Sequence, residues 1–147
     1  MIVRWRSRPI FVTRRTDALL KELQSRSLLA LLADPSSQEH QQPPYAQNWH
    51  RSAKPEDGVL VGICTHLGCI PNYFPQPSAS QPAANWPGGY FCPCHGSKYD
   101  LAGRVFAGVP APYNLPVPPY RYVDDHLIRI GENPKDVAWD FGSIRQI

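Results

Sequence analysis

All four cysteines of this 147-residue chain fall in two short clusters, and each cluster also holds a histidine. They read Cys64-Thr65-His66-Leu67-Gly68-Cys69 and Cys92-Pro93-Cys94-His95-Gly96-Ser97. Each follows a short strand-like run, Val59-Leu60-Val61-Gly62-Ile63 in one case and Gly88-Gly89-Tyr90-Phe91 in the other. Both clusters are therefore expected in glycine-bearing loops at strand ends, where backbone N–H groups turn inward towards an anion or a sulfur.

Three chemistries use such a set. Two structural disulfides would consume all four thiols, but would leave two of only five histidines beside cysteines for no reason. A zinc site of Cys64, His66, Cys92 and His95 offers a plausible tetrahedron. Its spacing is poor, because structural zinc loops pair cysteines two to four residues apart, and Cys69 and Cys94 would have no role. A two-iron cluster of mixed ligation is the third. A Rieske centre takes two thiolates and two imidazoles, with both histidines on one iron. The C-x-H and C-x-x-H segments supply that count.

Composition narrows the scaffold. The formal net charge is only +3, and the basic residues gather near the N-terminus, so nucleic acid is not an expected partner. The longest aliphatic stretch, Leu28 to Ala33, is far shorter than the roughly 20 residues of a spanning helix. No signal peptide is visible. With 17 prolines and 10 glycines the chain is expected to be a soluble single domain of short strands and structured loops.

Along the chain, Met1–Arg6 and Ile10–Thr13 predict a hairpin. Thr16 is placed to cap a helix carrying Leu20, Leu23, Leu28 and Leu31, which Asp34-Pro35 ends. Ser25 to Ser27 interrupts that stripe, so the region is one helix or two. Ser36 to Asp57 reads as an irregular surface connection and Asn72 to Gly89 as a proline-rich one. Lys98-Tyr99 and Arg104-Val105-Phe106 flank a turn, and Arg121–Val123 and Leu127–Ile130 predict a second hairpin. Glu132 to Ile147 shows no pattern. Arg4, Arg6, Arg8, Arg14 and Arg15 are expected to form a solvated face. His40, His50 and His126 are expected at the surface, and Trp5, Trp49, Trp86 and Trp139 as core or loop anchors.

The two hexapeptides, in this order, closely resemble those of the Rieske iron–sulfur subunits of ubiquinol–cytochrome c oxidoreductase (cytochrome bc) complexes. The resemblance reaches from about residue 2 to residue 131. It includes Arg8–Thr16, Asn114-Leu115-Pro116-Val117-Pro118 and the hairpin ending at Gly131. It implies a 2Fe-2S cluster held by Cys64, His66, Cys92 and His95, and a disulfide between Cys69 and Cys94. Ser97 and Tyr99 match positions whose hydroxyls donate hydrogen bonds to a bridging sulfide and a ligating cysteine sulfur. Gly108-Val109-Pro110-Ala111-Pro112 is similar to the proline loop that covers the cluster, with Val109 a departure from the commoner Gly-Pro-Ala-Pro. Leu67, Gly108, Pro110 and Pro112 are then expected to form the docking surface for cytochrome b.

The implied fold is all-β, an antiparallel sheet sandwich. Residues 1–61 and 114–147 would make the base, with a helix about 17–33, and residues 62–113 an inserted cluster-binding subdomain. The implied activity is that of an electron-transfer subunit of ubiquinol–cytochrome c oxidoreductase: an electron and a proton leave ubiquinol, and the electron passes to a c-type cytochrome. His95 is the expected contact for the quinol hydroxyl, with His66 beside it. Rieske subunits of arsenite oxidase and of the plastoquinol-oxidising complex are the alternatives. Family members carry an N-terminal membrane anchor and hinge that this sequence lacks, so a soluble fragment is expected. A disulfide needs an oxidising compartment, so the working face is expected to be periplasmic or intermembrane. The motif order and loops resemble bacterial members, which favours the periplasmic face of a bacterial inner membrane.

The ligand set carries a physical consequence. Two thiolates and two neutral imidazoles leave the oxidised cluster formally neutral, whereas four thiolates leave it doubly negative. Adding an electron to the neutral centre is easier in a low dielectric, so histidine ligation raises the potential. Hydroxyl donors to sulfur raise it further. An imidazole bound to iron through one nitrogen can carry a proton on the other. Reduction makes that nitrogen more basic, so electron and proton uptake are coupled.

Overall fold

The apolar–basic alternation at the N-terminus becomes a hairpin in the computed structural model, which describes residues 1–76 and 86–147. Strand β1 (Ile2–Trp5) pairs antiparallel with β2 (Arg8–Arg14), Trp5 opposite Arg8. Arg6 and Ser7 form the two-residue turn, both with positive φ (48° and 62°), the twist that matches flanking strands. Strand β3 (Asp57–Val61) adds to the other edge of β2, with Ile10 opposite Val61 and Phe11 opposite Leu60.

Five further strands make two more antiparallel sheets. β4 (Asn72–Phe74), β5 (Gly89–Phe91) and β6 (Lys98–Tyr99) lie in that order, and β7 (Tyr120–Tyr122) pairs with β8 (Ile128–Ile130). The predominantly antiparallel β architecture matches expectation, although among the described residues the sheets are three small ones rather than two broad layers. A shared core ties them together. Ile10, Leu60, Tyr90, Tyr99, Val105, Leu115 and Tyr120 are all buried in it, and Phe11 stacks on Tyr90 at 5.3 Å. Burying side chains of this size is worth roughly 1.5–3 kcal/mol each.

The leucine stripe forms two short helices, α1 (Asp17–Leu23) and α2 (Arg26–Leu29). The break has a cause: Ser25 leaves helical geometry to accept the Leu28 N–H, as Thr16 does for Leu19. Leu23, Leu28 and Leu32 pack against Trp86, Leu101, Ala102 and Phe106, while Leu31 stays exposed. Arg104 locks this junction. It pairs with Asp100 at 2.7 Å and donates to the carbonyls of Leu23 (2.6 Å) and Pro35 (3.1 Å).

Several expectations need correction. Ser36 to Asp57 is not a surface connection: Ser37, Gln41, Gln42, Arg51 and Ser52 are buried. Arg51 reaches the carbonyl of Leu115 at 2.6 Å and Gln42 Oε1 at 3.0 Å, so both terminal nitrogens of its buried guanidinium find acceptors, while its Nε has none. Arg15 leaves the solvated face. It is 4% exposed and donates to His50 O, Ser52 Oγ and Pro55 O. His50 is half-buried rather than a surface residue. Strand β4 lies inside the expected proline-rich connection, of which residues 77–85 fall outside the described residues. Arg104–Phe106 contributes only isolated bridges, Tyr99 with Val105 and Leu32 with Phe106.

The stretch after Gly131 is anchored. Phe141 is buried against Trp5 at 5.1 Å, with the Arg8 guanidinium 5.7 Å from its ring. Trp86 is buried and Trp139 half-buried, in keeping with anchoring roles. Among the described residues no helix is long and apolar enough to cross a membrane.

Candidate metal centre

Strands β3 and β5 each run into one cysteine–histidine loop, and the two loops are built alike. The Cys64 N–H donates to Cys69 O (2.7 Å) and the Gly68 N–H to Cys64 O (3.0 Å). In the second loop Cys92 N–H donates to Ser97 O (2.8 Å) and Gly96 N–H to Cys92 O (3.0 Å). Closing such a turn puts Gly68 and Gly96 at φ of 87° and 82°, which a residue without Cβ adopts cheaply. A common backbone design thus presents Cys64 and Cys92 at equivalent positions.

The disulfide joins Cys69 to Cys94 and clips the loops together. Cys64 and Cys92 remain free and buried behind it. Cys92 Sγ lies within 4.8 Å of both disulfide sulfurs, but those have no thiolate to offer, so this trio is no metal site. The histidine rings meet instead: His66 and His95 lie edge to face, 4.7 Å between centroids. Their surroundings differ, His95 being exposed and His66 half-buried. His66 Nδ1 is buried and has no hydrogen-bond partner.

Hydroxyls surround the thiols. Tyr99 Oη donates to Cys64 Sγ at 3.3 Å and accepts the Thr65 N–H at 3.1 Å. Burial, followed by the bond to Cys64, pushes the Tyr99 hydroxyl up, so it stays a neutral donor. Ser97 is fully buried and its Oγ accepts the Ala111 N–H at 2.9 Å, leaving its own proton for another acceptor. Thr65 Oγ1 donates to Tyr113 O at 2.7 Å. The proline loop is therefore pinned to both cysteine–histidine loops.

This donor set fits a two-iron cluster. Two buried thiols and two adjoining imidazoles, one with an orphaned nitrogen, are costly to leave unpaired and are satisfied by a soft cation. Burial pushes the Cys92 thiol up, opposed by the backbone N–H groups of Cys94 and His95. A metal would reverse that, because it takes the thiolate.

Of the residues singled out from the sequence, His66 meets His95, Cys69 is joined to Cys94, Tyr99 touches Cys64, and Ser97 holds the Ala111 N–H. Leu67 stands 72% exposed at the tip, and Gly108, Pro110 and Pro112 are exposed on the covering loop. Val109, the departure from the common loop, is half-buried and packs against both core clusters. Sequence reasoning missed Thr65, Tyr113 and Gln146. Thr65 had the signal of lying inside the motif, between Cys64 and His66; Gln146, whose Nε2 donates to the carbonyls of Thr65 and His66 (the latter at 3.1 Å), had none.

Residues 46–120 match the family model described as the Rieske [2Fe-2S] domain. Over 131 residues, 89% of this chain and 62% of the relative, it is 48% identical to the ubiquinol-cytochrome c reductase iron-sulfur subunit of Allochromatium vinosum. It is 44% identical over 129 residues to the mitochondrial cytochrome b-c1 complex subunit Rieske of Solanum tuberosum, covering 88% of this chain and 41% of that one. The corresponding Zea mays subunit is 41% identical, with 88% and 40% covered. The chain thus spans between two-fifths and just over three-fifths of the length of these relatives. With the model matched across just over half the sequence and the paired loops folded to receive a cluster, this chain belongs to the Rieske [2Fe-2S] domain family.

Proposed function

We propose that this chain is the cluster-bearing part of a quinol-oxidising complex, taking an electron and a proton from ubiquinol and passing the electron to a c-type cytochrome. The relatives at 41–48% identity are named as subunits of ubiquinol-cytochrome c reductase or of the cytochrome b-c1 complex, which supports that branch over arsenite oxidase or the plastoquinol-oxidising complex. The observation that carries the reading is the pair of imidazoles 4.7 Å apart at a tip flanked by exposed Leu67.

In this reading Cys64, His66, Cys92 and His95 hold a 2Fe-2S cluster, which supplies a one-electron acceptor and donor. The chain's own residues do the rest. Exposed His95 faces the quinol hydroxyl through the ring nitrogen that would not hold iron, and takes its proton when that nitrogen carries none of its own, with half-buried His66 beside it. Leu67, Gly108, Pro110 and Pro112 dock apolar surface on cytochrome b and exclude water. Tyr99 and Ser97 direct hydroxyl protons at the sulfurs, favouring the reduced state. The Cys69–Cys94 disulfide keeps the loops in register and requires an oxidising compartment, here the periplasmic face of a bacterial inner membrane.

The test is iron and acid-labile sulfide analysis of natively prepared protein, with electron paramagnetic resonance after ascorbate reduction. The expected outcome is a Rieske-type signal that ascorbate develops. Zinc without sulfide, or a cluster that only dithionite reduces, would overturn the reading.

A further inference from the structure

The last residues of the chain, which have no pattern in the sequence, return to the metal centre. From Gly131 the tail crosses the β1–β2 hairpin through Phe141, turns at Phe141–Ser143, and sets Arg145 on Glu39 at 3.2 Å. Gln146 then docks on buried Gln41 by a reciprocal pair: its N–H donates to Gln41 Oε1 (3.1 Å) and its carbonyl accepts from Gln41 Nε2 (2.8 Å). Gln41 Nε2 also donates to Asn114 O at 3.0 Å, so this anchor belongs to the rigid interior.

With its backbone held this way, Gln146 aims its side-chain amide at the first cysteine–histidine loop. Nε2 donates to the carbonyls of both Thr65 and His66. These flank the position of the orphaned His66 imidazole. We propose that Gln146 is a positioning residue for this centre, fixing the two peptide units around His66 and raising the reduction potential through them.

The physical argument has two parts. A donor on a carbonyl polarises its peptide, so the N–H on the same unit becomes a stronger donor. The units concerned carry the N–H groups of His66 and Leu67. Stronger donors in this loop favour the reduced cluster, whose added charge lies on iron and sulfur. Second, the amide clamps the main chain on either side of a ligand, and ligand orientation tunes a metal centre. The first effect sets the sign of the change in potential, and the second holds the ligand geometry on which that effect acts.

The proposal rests on the cluster-binding reading above, and the experiment separates the two. Gln146→Met keeps length and packing but removes the donor, and Arg145→Ala weakens tail attachment while leaving the amide. Both are made in the full 147-residue chain. Absence of a Rieske-type signal in the unsubstituted protein would sink the cluster reading itself. With that signal present, Gln146→Met is expected to lower the midpoint potential and shift the g values of the reduced form, at a thermal midpoint close to wild type. Arg145→Ala is expected to leave both spectroscopic quantities in place. A cluster-loaded Gln146→Met with unchanged potential and g values would overturn the proposal. So would an Arg145→Ala shift as large as that of Gln146→Met. If Gln146→Met takes up no cluster, amide exchange in the cluster-free proteins decides. Faster exchange confined to Thr65–Gly68 supports the positioning role, and unchanged exchange overturns it.

Discussion

Tyr99 Oη donates to Cys64 Sγ across the two sheets, at 3.3 Å, while accepting the N–H of Thr65, the next residue along. One hydroxyl therefore serves a thiol and a backbone donor, and both partners are buried.

Replacing Tyr99 with Phe removes that hydroxyl and leaves the Thr65 N–H without its acceptor. A buried donor left unsatisfied costs about 1–3 kcal/mol, so Tyr99→Phe should destabilise the protein by that order in denaturant unfolding. The same change takes a donor from a sulfur. Potentiometric titration should show a lower midpoint potential, and an unchanged value would remove Tyr99 from the tuning set.

Ser97 acts through the covering loop as well as through sulfur. Its Oγ accepts the Ala111 N–H at 2.9 Å, and Ala111 lies between the exposed Pro110 and Pro112. Ser97→Ala should lower the potential with the cluster still bound. It should also speed amide exchange at Ala111, an effect Tyr99→Phe lacks. Voltammetry and exchange measured on the same variant check both halves.

The reach of the sequence differed between site and scaffold for a physical reason. The cysteines and histidines were readable because metal and disulfide chemistry admit few residue types, and their spacing is set by a tight turn. The β hairpins at both ends were readable from alternation. What escaped was held by groups with no required spacing. Arg15 looked like its exposed neighbours Arg4, Arg6 and Arg14, yet three acceptors from residues 50–55 bury it. Gln41 and Arg51 sit in polar, irregular chain whose burial depends on carbonyls supplied from residues 102–115. Local pattern contains no record of such partners. Ser25 is intermediate: it was seen as an interruption, and the structure shows it as the cap of the second helix.

The disulfide spans a sequence separation of 25 residues. Chain entropy for a closed loop of this length is worth about 3.5 kcal/mol, set against the unfolded state. The double substitution of Cys69 and Cys94 by Ser should lower unfolding stability by that order. It should also let the two loops part, so the cluster should be lost faster on dilution into chelator. Retention of the cluster at the wild-type rate would mean that the hydrogen bonds to Tyr113 and Ala111 hold the loops without it.

Asp100 and Arg104 form a fully buried ion pair at 2.7 Å, with Arg104 also bridging to α1. Removing one member strands the other, at a cost of about 3–5 kcal/mol. Arg104→Leu should therefore unfold at markedly lower denaturant than wild type. Restoring volume and neutrality together, with Asp100→Asn added, should recover part of the loss. A double variant no better than Arg104→Leu would show that the lost bonds to Leu23 and Pro35, rather than the stranded carboxylate, set the cost.

His50 gives the folded protein a pH dependence independent of the metal centre. Its Nδ1 shares a hydrogen bond with Ser52 Oγ at 2.8 Å, and its ring abuts Trp49. Burial, reinforced by the nearby Arg15 guanidinium and opposed by Glu56, pulls its pKa from 6.5 down to about 4. Between those values the unfolded chain binds the proton and the native protein does not, so stability rises with pH across this window. Acidifying from pH 7 should leave this contribution intact down to about 6.5, then erode it as pH falls towards 4. Because the ring is half-exposed, solvent screens part of the effect. Unfolding free energies of wild type and His50→Gln, measured in steps over that range, check it. The variant should lose less stability than wild type on acidification. Parallel curves would place the acid sensitivity elsewhere, in which case the Ser52 and Trp49 contacts hold the protonated ring as well as the neutral one.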